Sequence, residues 1–248
     1  MTQTIDLNAD LGEGCGGDAD LMSIITSCNI ACGGHAGDAT SMREALTLAK
    51  LNGVSAGAHP SFPDRENFGR TPFALSGAAL ETTLEDQVAA LKEIATDLSV
   101  ELTHLKPHGA LYNMAARDAG LAASIANVLV NMLPGAKLFG PPASELENAA
   151  RRNGIGFIAE GFADRAYEAD GQLRNRKLAG AVLHDPTEQA TQALSMALDH
   201  RVTTHEGQPY ALSVGTICVH GDTPEAVSAA RAIKQALEQK GIDLCAPK

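Results

Sequence analysis

Polar side chains recur along this chain at positions where a buried strand would carry apolar ones. Over residues 4–10 the sequence alternates with period two: Ile5, Leu7 and Ala9 face one way, Asp6, Asn8 and Asp10 the other. The same alternation predicts a strand at 54–59, with Ser55, Gly57 and His59 on one face. It predicts another at 102–108, where His104, Lys106 and His108 lie opposite Thr103, Leu105 and Pro107. Residues 216–220 bring Thr216, Cys218 and His220 to a common face. An uncharged stretch at 27–32 and short runs at 137–140 and 155–159 predict three more strands.

Between these strands the apolar period becomes helical. Leu80, Leu84, Val88, Leu91, Ile94 and Leu98 mark a helix over 77–98. Others are expected at 18–26, at 40–51 with Asp38 as N-cap, from Gly109 to Leu133, at 143–152, and from Asp185 to His200. A final helix is expected to run to Lys240 with Asp222 as its cap. Residues 202–214 read as a loop or hairpin.

Strands and helices alternate about seven times, which calls for a parallel sheet with right-handed crossovers. Polar inner faces on several strands favour closing that sheet, because an open sheet between helix layers would want two apolar faces. The expected fold is therefore α/β, a single-domain (β/α)7-type barrel. No repeat, linker or low-complexity tract divides residues 1–248, so one domain is expected.

Charge narrows the partners. The chain carries 19 Lys and Arg against 30 Asp and Glu, a formal net charge of -11, with no basic run, so nucleic acid is not expected to bind. The N-terminus shows no basic and apolar leader, and no segment approaches the ~20 apolar residues of a membrane span. Five cysteines without a Cys-x-x-Cys pair fit a reducing cytoplasm.

The candidate chemistry collects at strand ends. His35, His59, His108 and His220 each stand at or just past the C-terminal end of a predicted strand, where α/β barrels hold their active sites. His35 follows strand 27–32 in a turn made by Gly33, Gly34 and Gly37. Asp10 ends the first strand and is the best carboxylate of the set. Lys106, between two histidines on an inner face, needs buried carboxylate partners, and strand one offers them. Carboxylate and imidazole together support general acid/base work or a metal that holds a water. The sequence has neither H-E-x-x-H nor the G-x-x-x-x-G-K-[ST] phosphate loop. Two long polar segments, 60–71 and 167–179, leave the same end. The second holds Arg174, Arg176 and Lys177, the densest positive patch. His184, His200 and His205 read as surface or loop positions, and His104 as a deeper, hydrogen-bonded residue.

Six stretches resemble the LamB/YcsF family, in order along almost the whole chain. They are residues 6–14 (DLNADLGEG), 29–38 (NIACGGHAGD), 57–61 (GAHPS), 106–112 (KPHGALY), 160–165 (EGFADR) and 220–222 (HGD). The resemblance implies a seven-strand barrel like that of glycoside hydrolases and polysaccharide deacetylases. It also implies a component of the bacterial ATP-dependent 5-oxoprolinase, acting with partner subunits B and C on 5-oxoproline, ATP and water. ATP would then be bound largely by the partners, since this chain lacks a phosphate loop. On that reading Asp10 is the base, assisted by His35 or His59. Lys106 and His108 stabilise charge. Asn8, Arg70, Asp164, Arg165, His220 and Asp222 serve the substrate, with Arg165 or Arg70 on its carboxylate. No obligatory metal is expected, because ATP activation supplies the electrophile and Lys106 a fixed cation. Two rivals are a metal-dependent deacetylase-like amidohydrolase and a non-catalytic metabolite-binding subunit.

Overall fold

The computed structural model describes residues 3–223 and 225–247. The chain begins with β1 (Gln3–Leu11) and α1 (Asp18–Met22). It continues through β2 (Ser27–Ala31), α2 (Ala39–Asn52), β3 (Ser55–His59), α3 (Gly77–Asp97), β4 (Leu102–Leu105), α4 (Gly109–Ala115) and α5 (Ala119–Met132). Next come β5 (Lys137–Gly140), α6 (Glu145–Arg152), β6 (Phe157–Phe162) and α7 (Pro186–Leu194), which passes into a π-helical turn over Ser195–Asp199. The hairpin of β7 (Arg201–Thr203) and β8 (Pro209–Ala211), then β9 (Thr216–His220), α8 (Ala226–Gln239) and β10 (Ile242–Leu244), complete it. The readings that fall on Met1, Thr2 and Lys248, the leaderless start and the two domain ends, lie outside the described residues.

Seven parallel strands follow the order β1-β2-β3-β4-β5-β6-β9. β9 pairs back onto β1 from Asp6–Thr216 to Asp10–His220, which closes the barrel. The barrel expected from the alternation is thus present. Its outer wall is apolar: Leu7, Ile30, Ala58, Leu105, Leu138 and Ile217 are buried in one cluster with Leu46, Leu84, Val128 and Ile233 of the surrounding helices. Each large side chain among them contributes about 1.5–3 kcal/mol on burial. Period-two alternation then forces the polar positions of the same strands inward. Among the described residues no helix is long and apolar enough to cross a membrane.

Local signals set most helix ends. Asp38 accepts from the Thr40 and Ser41 amides while Ser41 Oγ accepts from the Asp38 amide, a reciprocal cap for α2. Gly53, at φ 67°, ends that helix in the left-handed region.

Four expectations need correction. The helix expected from Gly109 to Leu133 is two helices, because Asp118 accepts from the Gly120 and Leu121 amides and starts α5 afresh. Strand 155–159 is shifted to Phe157–Phe162, which turns Glu160 into an interior residue. Asp222 is not the cap of the last helix: Glu225 is the N-cap of α8, and Asp222 is held by two arginines. β10, which pairs with the first residues of β1, was not expected, since three residues carry too short a pattern to read.

One glycine makes room for the interior. A Cβ at Gly57 would lie 2.3–2.5 Å from three atoms of the His104 ring. That ring cannot retreat, because it stacks on Phe139 at 4.2 Å and its Nε2 meets Asn29 Oδ1 at 2.9 Å. Gly57→Ala is therefore expected to destabilise the chain by about 1–3 kcal/mol, read as a lower urea midpoint with an unchanged slope. An unchanged midpoint would show that the His104 layer yields freely.

Candidate active site

The barrel interior is a stack of hydrogen-bonded polar layers. At the bottom, Asp6 accepts from the hydroxyls of Thr26, Ser27 and Thr216. Above it, Asn8 donates to Glu160 Oε1 at 3.0 Å and to Thr216 Oγ1 at 2.7 Å, while its Oδ1 accepts from Asn29 at 2.7 Å. His104 lies in the same layer. Burial pushes its imidazole down to about 3, so it is neutral.

Burial also pushes the Asp6 carboxyl up to about 6, against the three hydroxyls that favour its charge. A folded-state pKa above the unfolded ~3.9 contributes stability that is complete below ~3.9 and lost as pH rises through 6. Asp6→Asn is expected to remove that dependence. The variant should gain about 2–3 kcal/mol on the wild type between pH 4 and 7, measured by urea unfolding at both. A constant difference across this range would contradict the raised carboxyl.

The next layer holds the ions. Lys106 Nζ lies 2.9 Å from Asp10 Oδ1 and 2.9 Å from Glu160 Oε1, with Cys218 Sγ at 3.1 Å. Burial would neutralise this lysine, but Asp10 and Glu160 hold its ammonium well above the ordinary range. Burial would likewise raise Asp10, but His59 and Lys106 hold it well below the usual carboxylate range. Cys218 is pushed well up by burial and faces Lys106 as a neutral thiol. Two buried carboxylates thus share one ammonium. Asp10 also accepts from Asn29 Nδ2 at 2.8 Å.

Histidines cover this layer at the C-terminal end of the strands. His59 Nε2 stands 3.3 Å from Asp10 Oδ2 and 2.9 Å from His108 Nδ1. His35 and His108 stack with centroids 3.6 Å apart. Glu13, in the loop after β1, turns back over them, with Oε1 3.0 Å from His35 Nε2. Burial lowers the pKa of both His35 and His108. On the other side, Asp164 Oδ2 accepts from His220 Nδ1 at 2.7 Å, which leaves His220 Nε2 facing Asp10 Oδ2 at 4.0 Å.

The two long polar segments meet at one carboxylate. Asp222 Oδ2 pairs with Arg70 at 2.5 Å and with Arg176 at 2.9 Å. Burial would raise this carboxyl, but Arg176 and then His220 and Arg70 hold it at about 2. Segment 60–71 also lids the histidines: the Phe68 carbonyl accepts from His108 Nε2 at 3.0 Å.

Asp10, His35, His59, Lys106, His108 and His220 are therefore brought together, as the strand-end pattern expects. Asn8 lies one layer below, fully committed to its neighbours. Arg165 is buried and donates to the Ala181 and Arg174 carbonyls, whereas the Arg70 guanidinium reaches the surface over the Phe68 ring.

The family model described as LamB/YcsF matches residues 5–248. The chain belongs to the LamB/YcsF family. The A component of 5-oxoprolinase from Chloroflexus aggregans is 44% identical over 250 residues, covering 99% of each chain. The crystal structure of a lactam utilization protein from Thermus thermophilus superposes with a TM-score of 0.92 at 39% identity, covering 99% of this chain and 100% of that one. The barrel itself extends further: a polysaccharide deacetylase from Bacillus cereus superposes at TM-score 0.54 with 14% identity, over 99% of this chain and 92% of that one. At that identity the likeness is one of fold.

Reading this family member from sequence misses Glu13, Asn29 and Glu160. Asn29 was visible as the inward position of 27–32. Glu160 was hidden because the expected strand stopped at 159, one residue short of it, whereas β6 runs to Phe162. Glu13, between Gly12 and Gly14, looked like loop; both glycines adopt positive φ (74° and 77°), which turns the carboxylate back over the barrel.

Proposed function

We propose that this chain is the A component of an ATP-dependent 5-oxoprolinase, a single barrel domain that opens 5-oxo-L-proline to L-glutamate with partner subunits B and C. The observation that carries the reading is an Asp10 carboxylate held in its charged form beside a fixed Lys106 ammonium, in a chain related over 99% of its length to a protein of that name.

A five-membered lactam is a stable amide, so water attacks it slowly. Phosphoryl transfer from ATP to the lactam oxygen creates a leaving group and an electrophilic carbon. ATP is held largely by the partners in this reading, since no phosphate loop lies in this chain. Asp10 accepts a proton from the attacking water, with His59 at 3.3 Å relaying charge and His35 behind it. Lys106 stabilises the negative charge that develops on oxygen; His108, whose N–H is committed to the Phe68 carbonyl, has none left to donate to it. The Asp164–His220 pair presents Nε2 toward Asp10 and orients substrate or water there. Arg70 can exchange Asp222 for the substrate carboxylate, because both are anionic oxygens and its side chain is already half-exposed. Asn8 and Arg165 position this set from below and behind.

The partners dock, in this reading, on segments 60–71 and 167–179; Phe73, just past the first, and Leu178, within the second, are exposed. All five cysteines are free, which fits a cytoplasmic complex. A cell deleted for this chain is expected to accumulate 5-oxoproline and to regain its use with the wild-type chain but not with Asp10→Asn. Unchanged 5-oxoproline use in the deletion would overturn the assignment.

A further inference from the structure

The histidine cluster contains a conflict of lone pairs. His59 Nδ1 lies 2.8 Å from the Lys106 carbonyl and His108 Nε2 lies 3.0 Å from the Phe68 carbonyl. A carbonyl only accepts, so both nitrogens must carry the proton. Neutral rings then present two lone pairs to each other, His59 Nε2 against His108 Nδ1 at 2.9 Å. His35 repeats the problem. Its Nδ1 lies 3.0 Å from Ser61 Oγ, which itself donates to the Phe62 carbonyl, so Nδ1 is again the protonated nitrogen. His35 Nε2 is then a lone pair 3.0 Å from the Glu13 carboxylate. Four acceptors converge, and among the described residues no donor faces them.

Added protons would resolve this, one between His59 and His108 and one between His35 and Glu13, but the first makes an imidazolium among closely packed rings, of which His35 and His108 stack at 3.6 Å. One divalent cation supplies the same charge at one point. We propose that Glu13, His35, His59 and His108 bind a first-row divalent transition metal such as zinc.

Spacing supports the assignment. The four ligand atoms lie within 4.8 Å of one another. Nitrogen and oxygen ligands at about 2.0–2.1 Å from a tetrahedral zinc stand about 3.3 Å apart. The separations in the structure bracket that value: 2.9 Å for His59–His108, 3.0 Å for Glu13–His35, 3.5 Å for Glu13–His108 and 3.9 Å for Glu13–His59. Each imidazole already donates its other N–H to an oxygen, the arrangement that fixes a metal-binding tautomer. Ser61 is itself fixed, exchanging two hydrogen bonds between its backbone and the buried Gln87 side chain. Three imidazoles and one carboxylate suit zinc or its neighbours better than magnesium or calcium, which prefer oxygen. The other acidic group, Asp10 with Cys218 and His220, is different: the Lys106 ammonium already sits against Asp10 and Cys218 there.

The site adjoins Asp10 but does not rest on the lactam reading, and its test needs no turnover. The sequence alone argued against an obligatory metal; the acceptor count argues for a bound one. The experiment is titration of Zn²⁺ into the tag-free, chelator-stripped full chain by calorimetry, with Co²⁺ absorption as a second readout. One equivalent is expected, with tetrahedral cobalt bands and a raised melting temperature. Glu13→Gln and His108→Gln should each weaken binding at least tenfold, while His205→Gln, an exposed histidine, should not. Circular dichroism establishes that each variant is folded, and Glu13→Gln, nearest the surface, is the safer of the two. Less than a fifth of an equivalent bound, or binding unaffected by both substitutions, would overturn the site and leave protons as the resolution.

Discussion

Asp10→Asn is expected to lower glutamate formation by the reconstituted 5-oxoprolinase about 10²–10⁴-fold, the usual loss on removing a general base. The fold should survive. Asp10 and Glu160 share one Lys106 ammonium, so the wild-type layer carries an excess negative charge and the amide removes it. The asparagine oxygen can still accept from Lys106 and Asn29, as Asp10 Oδ1 does. What it cannot do is take a proton from water. The KM for 5-oxoproline should change little, because the loss lies in the chemical step. Turnover within a factor of about three of wild type would remove Asp10 from the base role and pass it to His220, whose Nε2 faces the same space.

Lys106→Met should be the most destabilising of the substitutions considered. Methionine fills the lysine's volume but leaves two buried carboxylates without their cation. Removing one partner of a buried ion pair costs about 3–5 kcal/mol. The deficit should depend on pH in a definite direction. In the wild type Asp10 is depressed, so its contribution is present above the unfolded value of ~3.9 and is lost as pH falls below it. Lys106 is raised, so its contribution holds below ~10.4 and is lost in strong alkali. The variant therefore lags most between about pH 5 and 10 and recovers part of its deficit near pH 4, where the carboxylates can protonate. Urea unfolding of both proteins at pH 7 and pH 4.5 measures this. A deficit below 1 kcal/mol at pH 7, or one that grows toward acid, would mean that the ammonium is not what holds these carboxylates.

The barrel was legible because polar residues at period two, on strand after strand, have to face something that can satisfy them. Asp6, Asn8 and Asp10 on one face of β1 required such an interior, and Lys106 required the carboxylates it proves to have. Strand-end histidines placed the site for the same reason: chain direction and parallel topology bring those ends together. The departures share a cause as well. Glu160, Glu13 and Asp222 are charged residues near loops, where periodicity stops and a surface position looks as reasonable as a buried one. Only the closed barrel shows that Glu160 meets Lys106, and only the loop's path shows Glu13 above the histidines. The break at Asp118 was available as a capping signal, but the apolar spacing on both sides masked it.

The central claim is that this barrel does its chemistry on a lactam activated with the help of its partners. Steady-state ADP and glutamate production should be measured for this chain alone, for subunits B and C alone, and for the mixture. The expected result is glutamate only from the mixture, formed with ADP, and negligible glutamate from this chain alone. Glutamate at the full rate from this chain without partners or ATP would contradict the account and make it an amidohydrolase in its own right.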